Sequence, residues 1–232
     1  MTFSLQREVM PIETHPFEPF LPQGARILFL GSFPPQEKRW CMPFFYPNWI
    51  NDFWRIMGLI HFGDKDHFCI SGEKRFNEAA IRAFCTKEGL AFYDTACAVR
   101  RLRDNASDAF LEVVTPTDIP ALLRQIPDCN NLVTTGQKAS EQVAAQFGCA
   151  IPPVGGCIGI RPGSGAAQAD APGADDAWTA LPDASGANPP DKPGSHHAGA
   201  AFRPLRFWRM PSTSRAYPLP LLQKAALYRQ LF

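Results

Sequence analysis

Four short apolar runs, separated by stretches of helical periodicity, constrain this chain more than any other feature. The runs are ARILFLG (25–31), LAFYD (90–94), NLVTTG (131–136) and PLRFWRM (204–210). A strand covered on both faces reads as continuous apolar sequence rather than as an alternation. Helical segments lie between and after them. NWINDFWRIMGLI (48–60) is capped by Asn48, and EKRFNEAAIRAFCTKEG (73–89) is closed by Gly89. TPTDIPALLRQI (115–126) has Thr117 as its cap and Pro120 in its first turn. QKASEQVAAQFG (137–148) and PLPLLQKAALYRQLF (218–232) complete the set. Strands alternating with helices predict an α/β fold of three α/β/α layers, with a central four-stranded, mostly parallel sheet. Ligand sites in such folds form at the carboxyl ends of the strands. GSFPP (31–35) and PSTSRAY (211–217) fall there, after the first and the fourth strand.

The length of 232 residues suits one domain spanning 1–232. Residues 159–201 depart from its pattern, because 25 of these 43 residues are Gly, Ala or Pro. Such a stretch buries too little to offset its ordering entropy, and it is expected to be a disordered insertion. It holds five aspartates against Arg161 and Lys192, so the overall charge of +1 conceals a basic remainder. Beyond it the chain carries Arg203, Arg206, Arg209, Arg215, Lys224 and Arg229 and no acid. That segment suits phosphates, or simply a solvated face. Seven cysteines, an odd number without C-x-x-C spacing, predict reduced thiols and a cytoplasmic location rather than a disulfide framework or a zinc site. His196-His197 has no partner motif, so no metal is expected there. Neither a membrane span nor a secretory leader is expected, for want of a long apolar run or an apolar h-region.

The densest chemistry lies in GSFPPQEKRWCMPFFYPNWINDFW (31–54). Gly31 lets the backbone approach a ligand, and Pro34-Pro35 stiffens the loop. Trp40, Phe44, Phe45, Tyr46 and Trp49 then flank Asn51. Aromatic rings can stack on a flat base, and an amide can read a base edge or hold a water. The same pattern suits an apolar core with Asn51 as a helix cap. Asp94, ending the second strand, and Asp108 are the acids placed to act, or else to cap turns. Nucleophile-elbow, Walker A, H-E-x-x-H and G-x-G-x-x-G patterns are absent, and Ser212 and Ser214 have no adjacent base in sequence.

GSFPP after the first strand, N-x-F-W in the segment that follows, and PSTSRAY before the last helix together resemble the uracil-DNA glycosylase superfamily. The likeness is nearest to its hypoxanthine-DNA and mismatch-specific uracil glycosylase branch, and it covers residues 15–155 and 202–232. The resemblance implies a monofunctional DNA glycosylase of base-excision repair. Such an enzyme hydrolyses the N-glycosidic bond of a deaminated base flipped out of double-stranded DNA, with hypoxanthine foremost and uracil or xanthine as further substrates. It implies Asn51 and Ser32 as catalytic residues, and a base pocket of Gly31, Phe33, Pro34 and Phe45, with Phe44 in reserve. It implies DNA contacts through Ser212, Thr213, Ser214 and Arg215, a monomer, and no cofactor or metal. Arg209 and Lys224 are further cations expected at phosphates. Two positions depart from the pattern. Ser32 stands where other branches place an acid or an amide, and Arg215 stands where many relatives place proline. A protein that binds a damaged base without cutting is the alternative reading.

Overall fold

The computed structural model describes residues 10–103, 110–161 and 205–232. The elements in chain order are β1 (Ile12–Thr14), β2 (Ile27–Gly31), α1 (Phe53–Phe62), α2 (Glu78–Glu88), β3 (Leu90–Asp94), β4 (Ala96–Arg101) and β5 (Leu111–Pro116). They continue with α3 (Ile119–Gln125), β6 (Asn131–Thr134), α4 (Gln137–Phe147), β7 (Gly156–Ile160), β8 (Leu205–Arg209) and α5 (Leu221–Tyr228).

The main sheet has the order β3-β2-β6-β8-β7. Its first four strands are parallel and are the four apolar runs of the sequence, so the α/β class stands. Ile27 to Leu30 are all buried, which requires cover on both faces of β2. The chain leaves β2 for β3 on one side and reaches β6 on the other. That reversal opens a crevice at the carboxyl ends of β2 and β6. Gly89, with φ near +67°, turns the end of α2 into β3, and its carbonyl accepts the amides of Arg26 and Ile27. The core is dense in aromatic rings. Phe92, fully buried, stacks on Phe29 at 5.4 Å and also touches Phe44, Phe45, Phe53 and Trp54.

The strand count differs from the expected four. A fifth strand, β7, pairs antiparallel with β8 at the sheet edge, and β1-β4-β5 form a separate antiparallel sheet. The residues Gly-Cys-Ile-Gly-Ile of β7 alternate in exposure and include two glycines, so they carry no apolar signal. Gly159 and Ile160, expected to open the insertion, therefore belong to the sheet. Residues 162–201 of that expected insertion lie outside the described residues, as do Asp108 and His196-His197.

Helix starts also shift. α1 begins at Phe53, not at residue 48, and Asn48 instead accepts the amide of Ile50 in a local turn. Asn77 caps α2 by accepting from Ala80. Asp118 caps α3, which frees Thr117 for a different role described below. Among the described residues, no helix is long and apolar enough to cross a membrane.

Replacing Phe92 by Ala should cost about 3–5 kcal/mol of stability, because a fully buried ring in the centre of the aromatic core is deleted. Chemical denaturation with an unchanged m-value checks this.

Candidate active site

A cleft of about 710 Å³ opens at the crevice and brings together Ser32, Phe45, Asn51, Asp94 and the 212–218 loop. Gly31 is the last residue of β2, in register with Asp94 of β3. A Cβ on residue 31 would overlap the Asp94 carboxylate and push it aside, so glycine here leaves that carboxylate its place. The loop after it is braced from outside. Arg101 donates to the Pro34 carbonyl at 3.1 Å while forking onto Glu13, and Trp40 Nε1 donates to the Pro35 carbonyl at 2.6 Å. Pro34 and Pro35 have no N–H, so Ser32 and Phe33 supply the loop's amide donors. Neither of those amides, nor the Ser32 hydroxyl, has a protein partner among the described residues. Two free N–H groups at the mouth of a strand can stabilise negative charge on a ligand.

Asn51 reaches the same cleft from the segment before α1. Its Oδ1 accepts the Phe53 amide at 2.9 Å, so it serves as a helix-entry cap and lines the site at once. Its carbonyl accepts from Arg55, which stacks over Trp49 at 4.4 Å. One Oδ1 lone pair is used, and the Nδ2 amide is left open to a ligand. Phe45 lines the cleft while stacking on Phe92. Tyr46 joins it, held at a positive φ of 51° with its ring 3.9 Å from that of Phe53 and its hydroxyl 2.9 Å from Thr135 Oγ1. Phe44 is a correction. It sits in the core against Phe20, Phe45 and Trp54, with the Arg82 guanidinium over its ring, and does not line the cleft. Phe33 lines the cleft but packs into a small cluster with Ala96, Val99 and Leu111.

The opposite wall is the 211–217 loop, tied down by buried polar contacts. Asp52 accepts from Lys224 Nζ at 3.1 Å and from Arg215 Nε at 3.1 Å. Lys224 also donates to the Ser214 carbonyl at 2.8 Å, and Tyr228 donates to the Pro211 carbonyl at 2.8 Å. Burial pushes the Tyr228 phenol well up, and Tyr46 adds to this, so it stays a donor. The Asp52 amide donates to the Thr213 carbonyl, and Asn51 bridges Ser214. Two sequence expectations change here. Lys224 is buried in the network and cannot reach phosphate, whereas Thr213 is buried and still lines the cleft. Arg209 is half-buried, donates to the Pro152 carbonyl, and lines an adjoining recess rather than the cleft. Ser212, Thr213, Ser214 and Arg215 remain on the cleft, with the Arg215 side chain 49% exposed. The Ser212 and Ser214 hydroxyls accept from amides two residues on, which sets the loop's shape. Arg39, exposed on the lip with no protein partner among the described residues, is a further cation that the motifs did not indicate.

One pair was not legible as a pair. Asp94 lines the cleft, and its Oδ2 lies 3.0 Å from His15 Nε2, where the His15 side chain is only 2% exposed. Thr117 donates to the Asp94 carbonyl at 2.7 Å, which is the role that replaces its expected helix cap. His15 and Asp94 are 79 residues apart in sequence, so only the apolar run ending at Asp94 offered a signal.

A loop of free amides, an aromatic wall and an amide side chain meet at the switch point of this sheet. The chain is similar to the solution NMR structure of a candidate uracil DNA glycosylase from Methanosarcina acetivorans, with a TM-score of 0.51 and 17% identity over 95% of this chain and 99% of that one. The likeness establishes the fold. No family model matches the chain, and no curated protein matches it by sequence.

Exchanging Lys224 for Met should destabilise the protein by about 3–5 kcal/mol, since it leaves Asp52 buried with one partner. Arg215→Ala should cost under about 1 kcal/mol, because that side chain is half in water. Parallel denaturation curves check the contrast.

Proposed function

We propose that the protein is a monofunctional DNA glycosylase acting on a deaminated base, hypoxanthine foremost and uracil or xanthine as alternatives. The observation that carries this reading is the convergence of the free Ser32 and Phe33 amides, Asn51 and the Phe45–Tyr46 wall in one cleft rimmed by Arg39 and Arg215. A base flipped into the cleft would stack on the aromatic wall, with the duplex held by the rim.

The C1′–N bond breaks with its electron pair passing to the base, leaving an oxocarbenium-like sugar. The two loop amides stabilise the charge that develops on the departing base, as dipoles fixed before it forms. Water then adds to C1′ and gives up a proton, while the base takes one up. The remaining Oδ1 lone pair of Asn51 can accept from that water and orient it, and Nδ2 can donate to the base. Asp94 lines the cleft, and its Oδ1, beside Gly31, suits the lactam N–H that hypoxanthine, uracil and xanthine share and that adenine and cytosine lack. Neither the 31–35 loop nor the 211–217 loop contains a lysine, so no Schiff-base lyase step is expected. Arg215 Nη groups can meet a phosphate, or fill the gap left by the base, while Nε stays on Asp52.

Single-turnover assays on duplexes carrying inosine, uracil or xanthine, followed by alkali, test the reading. Wild type should produce abasic sites, and Asn51→Ala should be slower by about a hundredfold or more. Binding of lesion duplexes without any cleavage would instead identify a damage-binding protein, a reading that Ser32 at the motif position favours. In salt titrations, log K should fall linearly with log salt. Arg215→Ala and Arg39→Ala should each flatten the slope by about 0.9. Unchanged slopes in both variants would remove these residues from the DNA contact.

A further inference from the structure

We propose that His15 is a positioning residue for base selection, which sets Asp94 as a fixed hydrogen-bond acceptor for the lactam N–H of the bound base. This rests on the glycosylase reading of the cleft. The imidazole comes from the end of β1, where the His15 amide donates to the Cys97 carbonyl at 2.8 Å. It is walled in by rings: Tyr93 at 4.6 Å, Phe33 at 5.4 Å and Phe17 at 5.9 Å between centroids. Desolvation, then Cys97 and Asp94, push the Tyr93 phenol up, so this neighbour is neutral.

Both ring nitrogens are engaged. The Phe17 amide lies 3.1 Å and the Phe17 carbonyl 2.9 Å from Nδ1, which hold the ring in place. Nε2 lies 3.0 Å from Asp94 Oδ2, and a carboxylate oxygen accepts, so Nε2 is the donor of that bond.

The second oxygen carries the consequence. Asp94 Oδ1 has no protein donor among the described residues, although the residue is 8% exposed. It lies against Gly31, where any side chain would displace it. A carboxylate that lines a cleft with one oxygen satisfied and the other bare calls for a ligand that donates. A base presenting a ring N–H meets that need. A base presenting a bare ring nitrogen at the same place sets two acceptors face to face. The imidazole makes this preference rigid, because without it the carboxylate can turn away.

The test measures the affinities of free hypoxanthine and free adenine beside inosine excision, for wild type, His15→Phe, His15→Gln and Asp94→Asn, with thermal unfolding of each. Wild type should favour hypoxanthine. His15→Phe should lose about tenfold or more of that preference, the worth of a hydrogen bond to a charged group. His15→Gln, which keeps an N–H at the end of its side chain, should recover most of it. A folded His15→Phe protein with the wild-type preference overturns the proposal. Should His15→Phe fail to fold, Asp94→Asn decides, since an amide can present either an acceptor or a donor and should lose the preference. Unchanged preference in that variant also overturns the proposal. Preference for hypoxanthine without excision of any lesion would end the glycosylase reading alone and leave the role of His15 in place.

Discussion

The ion network around Asp52 holds the two halves of the cleft together. Asp52 opens α1, Lys224 lies in α5 and Arg215 lies in the loop between β8 and α5. A carboxylate buried to this degree is tolerable only with close, well-aimed cations. Lys224, 1% exposed, supplies that and also ties down the Ser214 carbonyl. The network therefore fixes Asn51, one residue before Asp52, relative to Ser214, which it bridges. With Lys224 satisfying Asp52, Arg215 need give only its Nε and can present the rest of its guanidinium to the cleft.

The rest of the site follows a similar economy, in which one group fixes geometry and faces a ligand. Asn51 caps the entry to α1 with one lone pair and keeps Nδ2 open. Asp94 ends β3, receives Thr117 on its carbonyl and His15 on one carboxylate oxygen, and keeps the other. The Gly31 loop has its carbonyls bonded outward to Arg101 and Trp40 while the Ser32 and Phe33 amides stay free. Donors and acceptors held in advance need little reorganisation when a ligand arrives, which is the arrangement electrostatic stabilisation requires.

Sequence reasoning worked where a signal was local. The four parallel strands were visible as apolar runs because both faces of the sheet are covered. Strands β1, β5 and β7 were not, since short half-exposed ribbons with glycine or charge look like loops, and neither was β4, which is largely buried but ends in two arginines. The start of α1 was placed five residues early, because aromatic residues at helical spacing also suit a ladder held by bridges to Trp40 and Ser214. Lys224 looks like a phosphate contact in sequence, because nothing in a basic segment reveals which cation is buried.

The sequence by itself determined the α/β class, the two loops at the strand ends and the residue types gathered there, because strand burial and loop chemistry are written in contiguous residues. Tertiary structure decided which of those residues face one another. It sent Phe44 into the core and left Phe45 on the cleft, and it turned Lys224 inward. It also joined His15 to Asp94 across 79 residues. Such pairings depend on how β1 and β4 lie beside the end of β3, and no periodicity along the chain encodes a meeting between side chains so far apart.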